Sequence, residues 1–218
     1  MVRRQLLVRI ISLMTLLAIL AACGAAEPTA TPATGGATGG QTTGGDGAGG
    51  KIALLLPETK TTRYESADRP FFEAKFKELC PTCEVIYSNA NQDANAQLSQ
   101  AEAALANGAQ VLVLDPVDSA AAGVIADKAK AQGVPVIAYD RLVLNSDGVN
   151  YYISFDNEAV GKLQAQSLID QLTAQGVSNP QIVMINGSPT DNNAKLFKQG
   201  AHSVFDPLVA AGSLVIAK

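Results

Sequence analysis

Residues 111–139 read VLVLDPVDSAAAGVIADKAKAQGVPVIAY, in which two apolar runs enclose a segment of helical periodicity that ends at Gly133. Runs of this length without polar residues indicate strands that are covered on both faces. A strand, a helix and a second strand in this order form a right-handed crossover between parallel strands. The stretch therefore predicts an α/β protein with a parallel sheet flanked by helices.

The same alternation continues on both sides of this unit. Helices are expected from Pro70, from Asp93 and from about Asn157, and Ser119 and Asp191 are expected to cap two others as Asp93 does. Gly108, Gly133 and Gly176 are placed to end helices. Strands are predicted at 52–56, 85–87, 111–114, 134–139, 151–155, 182–185 and 214–217.

The N-terminus carries an export pattern. Three arginines within residues 1–9 precede an uncharged run, Ile10–Ala22, that is shorter than the roughly 20 apolar residues a membrane span needs. Small residues then lead directly to Cys23, which resembles the bacterial lipoprotein box. We expect a signal peptide at 1–22 and lipidation of Cys23. The alternative is an ordinary secretory signal followed by an incidental cysteine.

Residues 23–50 are almost wholly Gly, Ala, Thr and Pro. They contain no large hydrophobic residue, so burial cannot offset the entropy lost on ordering the chain. We expect a disordered linker there, and a folded part that starts at Lys51.

Composition excludes several classes of function. The formal net charge is −4, whereas proteins that bind nucleic acid carry basic patches, so no nucleic acid partner is expected. The chain has no Trp, and its one His is His202. A multi-histidine metal site is therefore excluded, and a Ser-His-Asp hydrolase would depend on that single residue. We expect no metal and no other cofactor.

Two further cysteines, Cys80 and Cys83, form a C-x-x-C motif. Such a motif can be a redox pair, half of a zinc site or a local disulfide. It follows a predicted helix instead of opening one, so the helix dipole would not activate the first thiol. In an exported protein a disulfide is favoured, and a surface thiol oxidoreductase remains the alternative.

Polar residues follow the predicted strands at their carboxyl ends, where open parallel sheets bind ligands. Planar side chains that donate and accept in fixed directions suit the vicinal hydroxyl groups of a sugar. No phosphate-binding glycine loop follows the first strand. Read singly, these residues could equally be helix caps or surface ion pairs. They are Glu58, Lys60, Arg63, Tyr64, Asn89, Asn91, Gln92, Asp115, Asp140, Arg141, Asn186, Asp191, Asn192, Asn193 and Lys195.

Three stretches together resemble the D-xylose-binding subgroup of type I sugar-binding proteins of ABC transporters. They are 138–141 (AYDR), 152–161 (YISFDNEAVG) and 187–197 (GSPTDNNAKLF). The resemblance covers residues 51 to 218. It implies two Rossmann-like lobes of the periplasmic binding protein type I fold, one at 51–151 and the start of a second at 152–218.

The resemblance also implies a binding protein and not an enzyme, with a monosaccharide, D-xylose or a related pentose, held between the lobes. Tyr64 stands where the xylose-binding subgroup has a tryptophan that stacks on the sugar, so it offers a smaller aromatic face. The sugar contacts implied for this chain are Arg63, Tyr64, Asp140, Arg141 and Asn192, with Asn193 and Lys195 as weaker candidates.

The chain stops one residue after the last predicted strand, so we expect a fragment whose second lobe is incomplete and exposes apolar sheet surface. The implied partner is an ABC permease, and the protein is expected to be a monomer. The implied location is the outer face of the cell membrane, reached through a lipid anchor, or the periplasm. Two alternatives use the same fold: a lipid-anchored sugar sensor for chemotaxis, and the effector domain of a LacI-type repressor, which the export signal disfavours.

Overall fold

The computed structural model describes residues 49–217. The predicted signal peptide at 1–22, the predicted lipidation site Cys23 and the predicted linker up to residue 48 lie outside these described residues. At the start of the described chain, the carbonyl of Gly50 accepts a hydrogen bond from the amide of Glu84 (2.9 Å). The backbone thus joins the fold one residue before the predicted start at Lys51.

Five parallel strands form the first sheet, in the order β2-β1-β3-β4-β5. Leu55 in the interior strand β1 lies opposite Leu114 of β3 on one side and Ser88 of β2 on the other. The parallel α/β arrangement expected from residues 111–139 is confirmed. The strands are β1 (Lys51–Leu56), β2 (Glu84–Asn89), β3 (Val111–Leu114), β4 (Val136–Tyr139) and β5 (Val149–Ile153).

The last of these strands is shifted from its predicted place at 151–155. Its pairing with β4 begins at Val149 and ends at Ile153. Residues 154 and 155 instead form the loop before the next helix, where the Asn157 side chain donates to the Ser154 hydroxyl and the Phe155 carbonyl. The first sheet therefore extends two residues beyond the predicted lobe boundary at 151/152.

Helices follow the strands as expected: α1 (Arg69–Leu79), α2 (Ala94–Ala106), α3 (Gly123–Ala131), α4 (Asn157–Ala174) and α5 (Asn192–Ala210). The carboxylate of Asp93 accepts hydrogen bonds from two amides of α2 at 2.8 and 3.0 Å, and Asp191 accepts one from α5 at 2.8 Å, so both predicted caps are confirmed. Gly108, Gly133 and Gly176 follow α2, α3 and α4 with φ of +81°, +70° and +70°, as predicted for helix ends.

The predicted role of Ser119 as a helix cap is wrong. The carboxylate of Asp118 accepts from the two amides after Ser119 (2.8 and 2.9 Å), and α3 begins only at Gly123. The Ser119 hydroxyl accepts instead from the amide of Asn192, 73 residues away, at 3.2 Å. A serine at a helix start fits the local capping pattern, but the sequence does not reveal that a distant segment uses its hydroxyl group.

Two apolar layers enclose the first sheet. Ala53 and Leu55 of β1 face the layer formed with α2 and α3, whereas Leu54 and Leu56 face the layer formed with Tyr64 and the first helix. All four β1 side chains are at most 2% exposed. This burial on both faces explains why β1 has no polar residue between positions 52 and 56.

A second, two-stranded parallel sheet contains β6 (Gln181–Val183) and β7 (Val215–Ala217). Helices α4 and α5 pack closely beside it. A Cβ atom on Gly161 would lie 2.1 Å from the Phe197 carbonyl oxygen, and one on Gly200 would lie 2.0 Å from the Glu158 carbonyl oxygen. The two helices therefore touch backbone to backbone, and only glycine fits at these two points.

Apolar side chains are exposed around β6, as expected for the second lobe: Val183 is 71% exposed and Ile185 94%. Within residues 49–217, no helix is both long enough and apolar enough to cross a bilayer.

Candidate functional site

The strand order places the candidate site. In the sheet, β2 lies on one side of β1 and β3 lies on the other side. The connections after β1 and after β2 therefore run in opposite directions, and the carboxyl ends of β1 and β3 flank the point where the direction reverses. Ligands of open α/β sheets bind in the crevice at such a point. Glu58 follows β1, Asp115 follows β3 and Asp140 follows β4, and all three carboxyl groups are largely buried.

A π-helical turn, Tyr64–Asp68, carries the first two predicted contacts to this edge. The Arg63 guanidinium pairs with Asp68 (Nε–Oδ2 3.1 Å) and with Asp140. Tyr64 is only 2% exposed, and its hydroxyl donates to Asp140 Oδ2 (3.1 Å). The guanidinium carbons of Arg63 and Arg141 lie 5.0 and 5.9 Å from the centre of its ring. The Tyr64 ring thus packs against two guanidinium groups, and a ligand cannot reach it in this structure.

Asp140 adopts a left-handed backbone conformation with φ of +59°. Its amide donates to the Ile153 carbonyl (2.9 Å), and the next amide, of Arg141, folds back onto the Tyr139 carbonyl (2.7 Å). Residues other than glycine rarely take this conformation, and Asp is among those that tolerate it. The turn points consecutive side chains in different directions. The Asp140 side chain contacts Arg63 and Tyr64, whereas the Arg141 side chain approaches Asp115 and Asp191. The alternative reading of Asp140 and Arg141 as an isolated surface pair does not fit these contacts.

Arg141 lies between carboxylates of both lobes. Its Nε is 3.7 Å from Asp115 Oδ1 in the first lobe and 3.3 Å from Asp191 Oδ2 at the start of α5. Its Nη1 donates to the Pro116 carbonyl (3.2 Å). Burial lowers the pKa of Arg141, but its acidic neighbours Asp115, Tyr64 and Asp191 outweigh burial and raise it, so the guanidinium stays charged.

The second lobe reaches the site through the start of α5. The Asn193 amide group donates to the carbonyl oxygen (3.2 Å) and to Oδ1 (3.0 Å) of Asp140. Asn192 contributes its backbone amide, which donates to Ser119. The carbonyl of Thr190 accepts from the Ser119 amide (3.0 Å). Predicted contacts from both lobes are therefore brought together, except for Lys195, which is exposed on the first turn of α5.

Other residues of the predicted rim serve the local structure. Glu58 accepts hydrogen bonds from the amides of Lys60 and Thr61. Burial raises the pKa of its carboxyl group, but these hydrogen bonds outweigh burial and the net shift is downward. Asn89 donates to the Glu58 carbonyl (3.1 Å) and to Glu65 (2.9 Å). These contacts shape the loop that carries Arg63 and Tyr64.

Two residues at the site were missed among the candidate contacts. Asp115 was placed on the rim by sequence but not included as a contact, and it is 0% exposed beside Arg141. Gln97, on α2, donates to the Asp115 carbonyl and accepts from the Val117 amide, both at 2.8 Å. A polar residue in the apolar stripe of a predicted helix was the signal for Gln97. The signal for Asp115 was an acid directly after a buried strand.

Cys80 and Cys83 form a disulfide in the structure. Cys80 lies at the end of α1, where its amide donates to the Phe76 carbonyl (2.8 Å). The motif precedes β2, at the opposite end of the strands from Asp115 and Asp140. A helix carboxyl terminus does not stabilise a thiolate, which disfavours the thiol oxidoreductase alternative.

The arrangement suits the reversible binding of a polar ligand. It combines two guanidinium groups with amide and carboxyl groups whose positions are fixed by neighbours from both lobes. Within residues 49–217, no group of three or more His, Cys, Asp or Glu side chains could hold a metal ion.

Comparison with known proteins identifies the family. Residues 52–218 match the model of the periplasmic binding protein domain. The D-xylose-binding periplasmic protein of Haemophilus influenzae is 37% identical over 166 residues, which is 76% of this chain and 47% of that protein. The chain spans about half the length of the curated relatives it matches.

Two solved structures are also similar. An ABC transporter solute-binding protein from Clostridium phytofermentans with bound β-D-glucose has a TM-score of 0.70 and 34% identity, over 76% of this chain and 51% of that one. A carbohydrate transporter solute-binding protein from Chloroflexus aurantiacus in complex with D-glucose has a TM-score of 0.67 and 37% identity, over 76% of this chain and 47% of that one.

Proposed function

This chain belongs to the family of periplasmic binding protein domains, and from that premise we propose that it captures a neutral monosaccharide for an ABC transporter. The observation that supports this most strongly is the meeting of Arg63, Asp140 and Arg141 from the first lobe with Asn193 from the second. A ligand held by both groups would couple its own binding to the closing of the lobes, which a permease can recognise.

A pyranose sugar fits the chemistry of these side chains. Guanidinium, carboxylate and amide groups bind neighbouring hydroxyl groups in fixed directions, and a missing hydroxyl leaves a buried partner unpaired. D-xylose or a related pentose is the first candidate, because of the relatives named for that sugar. D-glucose is the second, because it has the same ring hydroxyl configuration with an added hydroxymethyl group and is bound in similar structures.

The proposal includes the location of the protein. Export by the N-terminal signal and a lipid on Cys23 would hold the sugar-binding part near a permease in the cell membrane. The Gly- and Thr-rich sequence of the linker predicted at 23–50 is typical of a tether, which would let that part move above the membrane surface.

Calorimetry with the full-length protein tests the function. We expect D-xylose or D-glucose to release or absorb heat on binding and to raise the melting temperature, because a ligand of the folded state stabilises it. Arg141→Ala should reduce the affinity at least about 100-fold, or about 2.7 kcal/mol, because it removes the buried charged donor that is proposed to bind the hydroxyl groups of the sugar.

Lys130→Ala is the matched control, because Lys130 pairs with the exposed Asp147 (2.7 Å) away from the site and should leave affinity unchanged. No heat and no melting shift with any monosaccharide would contradict the proposal.

A further inference from the structure

The carboxyl group of Asp115 is buried, although the hydrogen bonds that hold the surrounding backbone do not use it. Its side chain is 0% exposed, and among the described residues neither carboxyl oxygen has a hydrogen-bond partner. The nearby Tyr64 hydroxyl donates instead to Asp140. Buried polar groups are almost always paired, since leaving one unpaired is costly, and an unpaired one needs a reason.

The local backbone does not supply that reason. The amide of Asp115 donates to the Leu55 carbonyl (3.0 Å), and its carbonyl accepts from the Gln97 side chain (2.8 Å). Gln97 also accepts from the Val117 amide. The loop after β3 is thus held by backbone groups and by Gln97, and an apolar side chain of similar size at position 115 would leave these hydrogen bonds in place.

The groups that face Asp115 all belong to the proposed sugar site. They are Tyr64 from the π-helical turn, Asp140 and Arg141 from the loop after β4, and Asp191 from the start of α5. Arg141 stands 3.7 Å from the Asp115 carboxyl, beyond hydrogen-bond distance, and lies closer to Asp191. Asn193, which contacts Asp140, also has a buried side-chain oxygen with no hydrogen-bond partner among residues 49–217. Asp115 and Asn193, which carry these oxygens, therefore both neighbour Asp140.

The charge state of Asp115 follows from this setting. Burial, and then the negative charge of Asp140, raise the pKa of its carboxyl group well above the usual range, against the opposing effects of Arg141 and of the nearby Tyr64 hydroxyl. An uncharged carboxyl group offers one donor and one acceptor, the same pair that a sugar hydroxyl needs.

Access to Asp115 depends on the second lobe. Asp191 and the Thr190 contacts with Val117 and Ser119 cover it from that side. Separation of the lobes would uncover Asp115, and their closure over a sugar would bury the contact again.

We propose that Asp115 is a specificity-determining residue, whose uncharged carboxyl group binds a hydroxyl group of a neutral sugar at the corner between Tyr64 and Arg141. This inference rests on the proposed function. The Asp115 carboxyl group would recognise one hydroxyl group of the sugar by donating one hydrogen bond to it and accepting one from it. The contact would therefore select ligands that have an uncharged polar group at this position.

Two substitutions at this position test the inference by calorimetry with whichever of D-xylose and D-glucose binds the full-length protein more tightly. Asp115→Asn keeps a donor and an acceptor, so its affinity should stay within about threefold of the wild type. Asp115→Leu keeps the approximate size without polar atoms, so its affinity should fall at least about tenfold. The melting temperature of the unliganded Leu variant should not fall, because the lost oxygens accept no hydrogen bond from the part of the chain that the structure describes.

Asp147→Asn is the charge control: it removes one exposed carboxylate outside the site and should bind as the wild type does. Wild-type affinity in Asp115→Leu would overturn the inference, as would an Asn variant that binds as weakly as the Leu variant. If the wild-type protein binds neither sugar, the proposed function itself fails, and this inference fails with it.

Discussion

Asp140 illustrates how a single residue organises the candidate site. Its left-handed backbone turns the chain so that its own carboxylate meets Arg63, Tyr64 and Asn193, while the next residue, Arg141, reaches Asp191. Strained backbone conformations of this kind often occur where function requires a defined side-chain direction. The sequence AYDR identified both residues as candidates, but the turn that separates their directions is visible only in the structure.

At the same scale, Asp115 gives the protein a specific dependence on pH. In the unfolded chain its carboxyl group loses its proton near pH 4, whereas burial raises its pKa in the folded protein. Between these two pKa values the folded state binds more protons than the unfolded state, so the free energy of unfolding contributed by this group falls as pH rises. The decline should begin near pH 4 and continue through the folded-state pKa.

Urea unfolding of the wild type and of Asp115→Asn over a series of pH values measures this contribution. The difference between the two free energies isolates Asp115 from groups with the opposite behaviour, such as Glu58, whose pKa is lowered. We expect the wild type to lose stability relative to the Asn variant as pH rises above about 4. A constant difference across the series would contradict this.

At the scale of elements, the contact between α4 and α5 leaves no room for a side chain at two positions. Gly161 and Gly200 let the two helix backbones touch, and a Cβ atom at either position would overlap a carbonyl oxygen of the other helix. Backbone atoms cannot rotate away as a flexible side chain can. Gly161 belongs to the stretch 152–161 that resembles the family, and the structure shows why a glycine is needed there: α5 leaves no space for a Cβ atom.

Gly200→Ala should therefore destabilise the protein by about 1–3 kcal/mol, because the added methyl group forces the helices apart. Thermal and urea unfolding measure the change. Lys162→Ala, an exposed substitution on α4, is the control and should stay within about 0.5 kcal/mol of the wild type. Equal stability of the Gly200 variant and this control would show that the helices can separate without cost.

At the scale of the whole molecule, the N-terminal pattern and the folded part have separate roles in the proposal. In that proposal, the folded part would bind the sugar and a lipid on Cys23 would retain it at the membrane. In a bacterium that processes lipoproteins, Cys23→Ser should move the protein from the membrane fraction to the soluble fraction, because a signal peptide without a lipid attachment site gives no stable anchor.

Immunoblots of the two fractions measure this. The double variant Cys80→Ser/Cys83→Ser is the control for general loss of a cysteine and should remain with the membrane. A Cys23→Ser protein that stays in the membrane fraction would argue for another means of attachment.

Local patterns predicted the elements well, because a strand or a helix depends mainly on residues close in sequence. The apolar runs gave all five strands of the first sheet, and Asp93, Asp191 and three glycines marked helix limits correctly. The errors occur where a distant segment competes for a local group. Ser119 has the sequence of a helix cap but binds the amide of Asn192 across the lobes. The limits of β5 depend on its pairing with β4, which begins at Val149.

By itself, the sequence determined the parallel α/β class, the two-lobed family and the set of polar residues at the ends of the strands. Their contacts were decided only by the tertiary structure, which pairs Arg63 with Asp140, buries Tyr64 beneath two guanidinium groups and, within residues 49–217, leaves the Asp115 carboxyl group without a hydrogen bond. The physical reason is distance along the chain: 77 residues separate Arg63 from Asp140, so this pairing depends on strand order and not on local sequence. Periodicity shows that a residue lies at the end of a strand, but not which group it will face there.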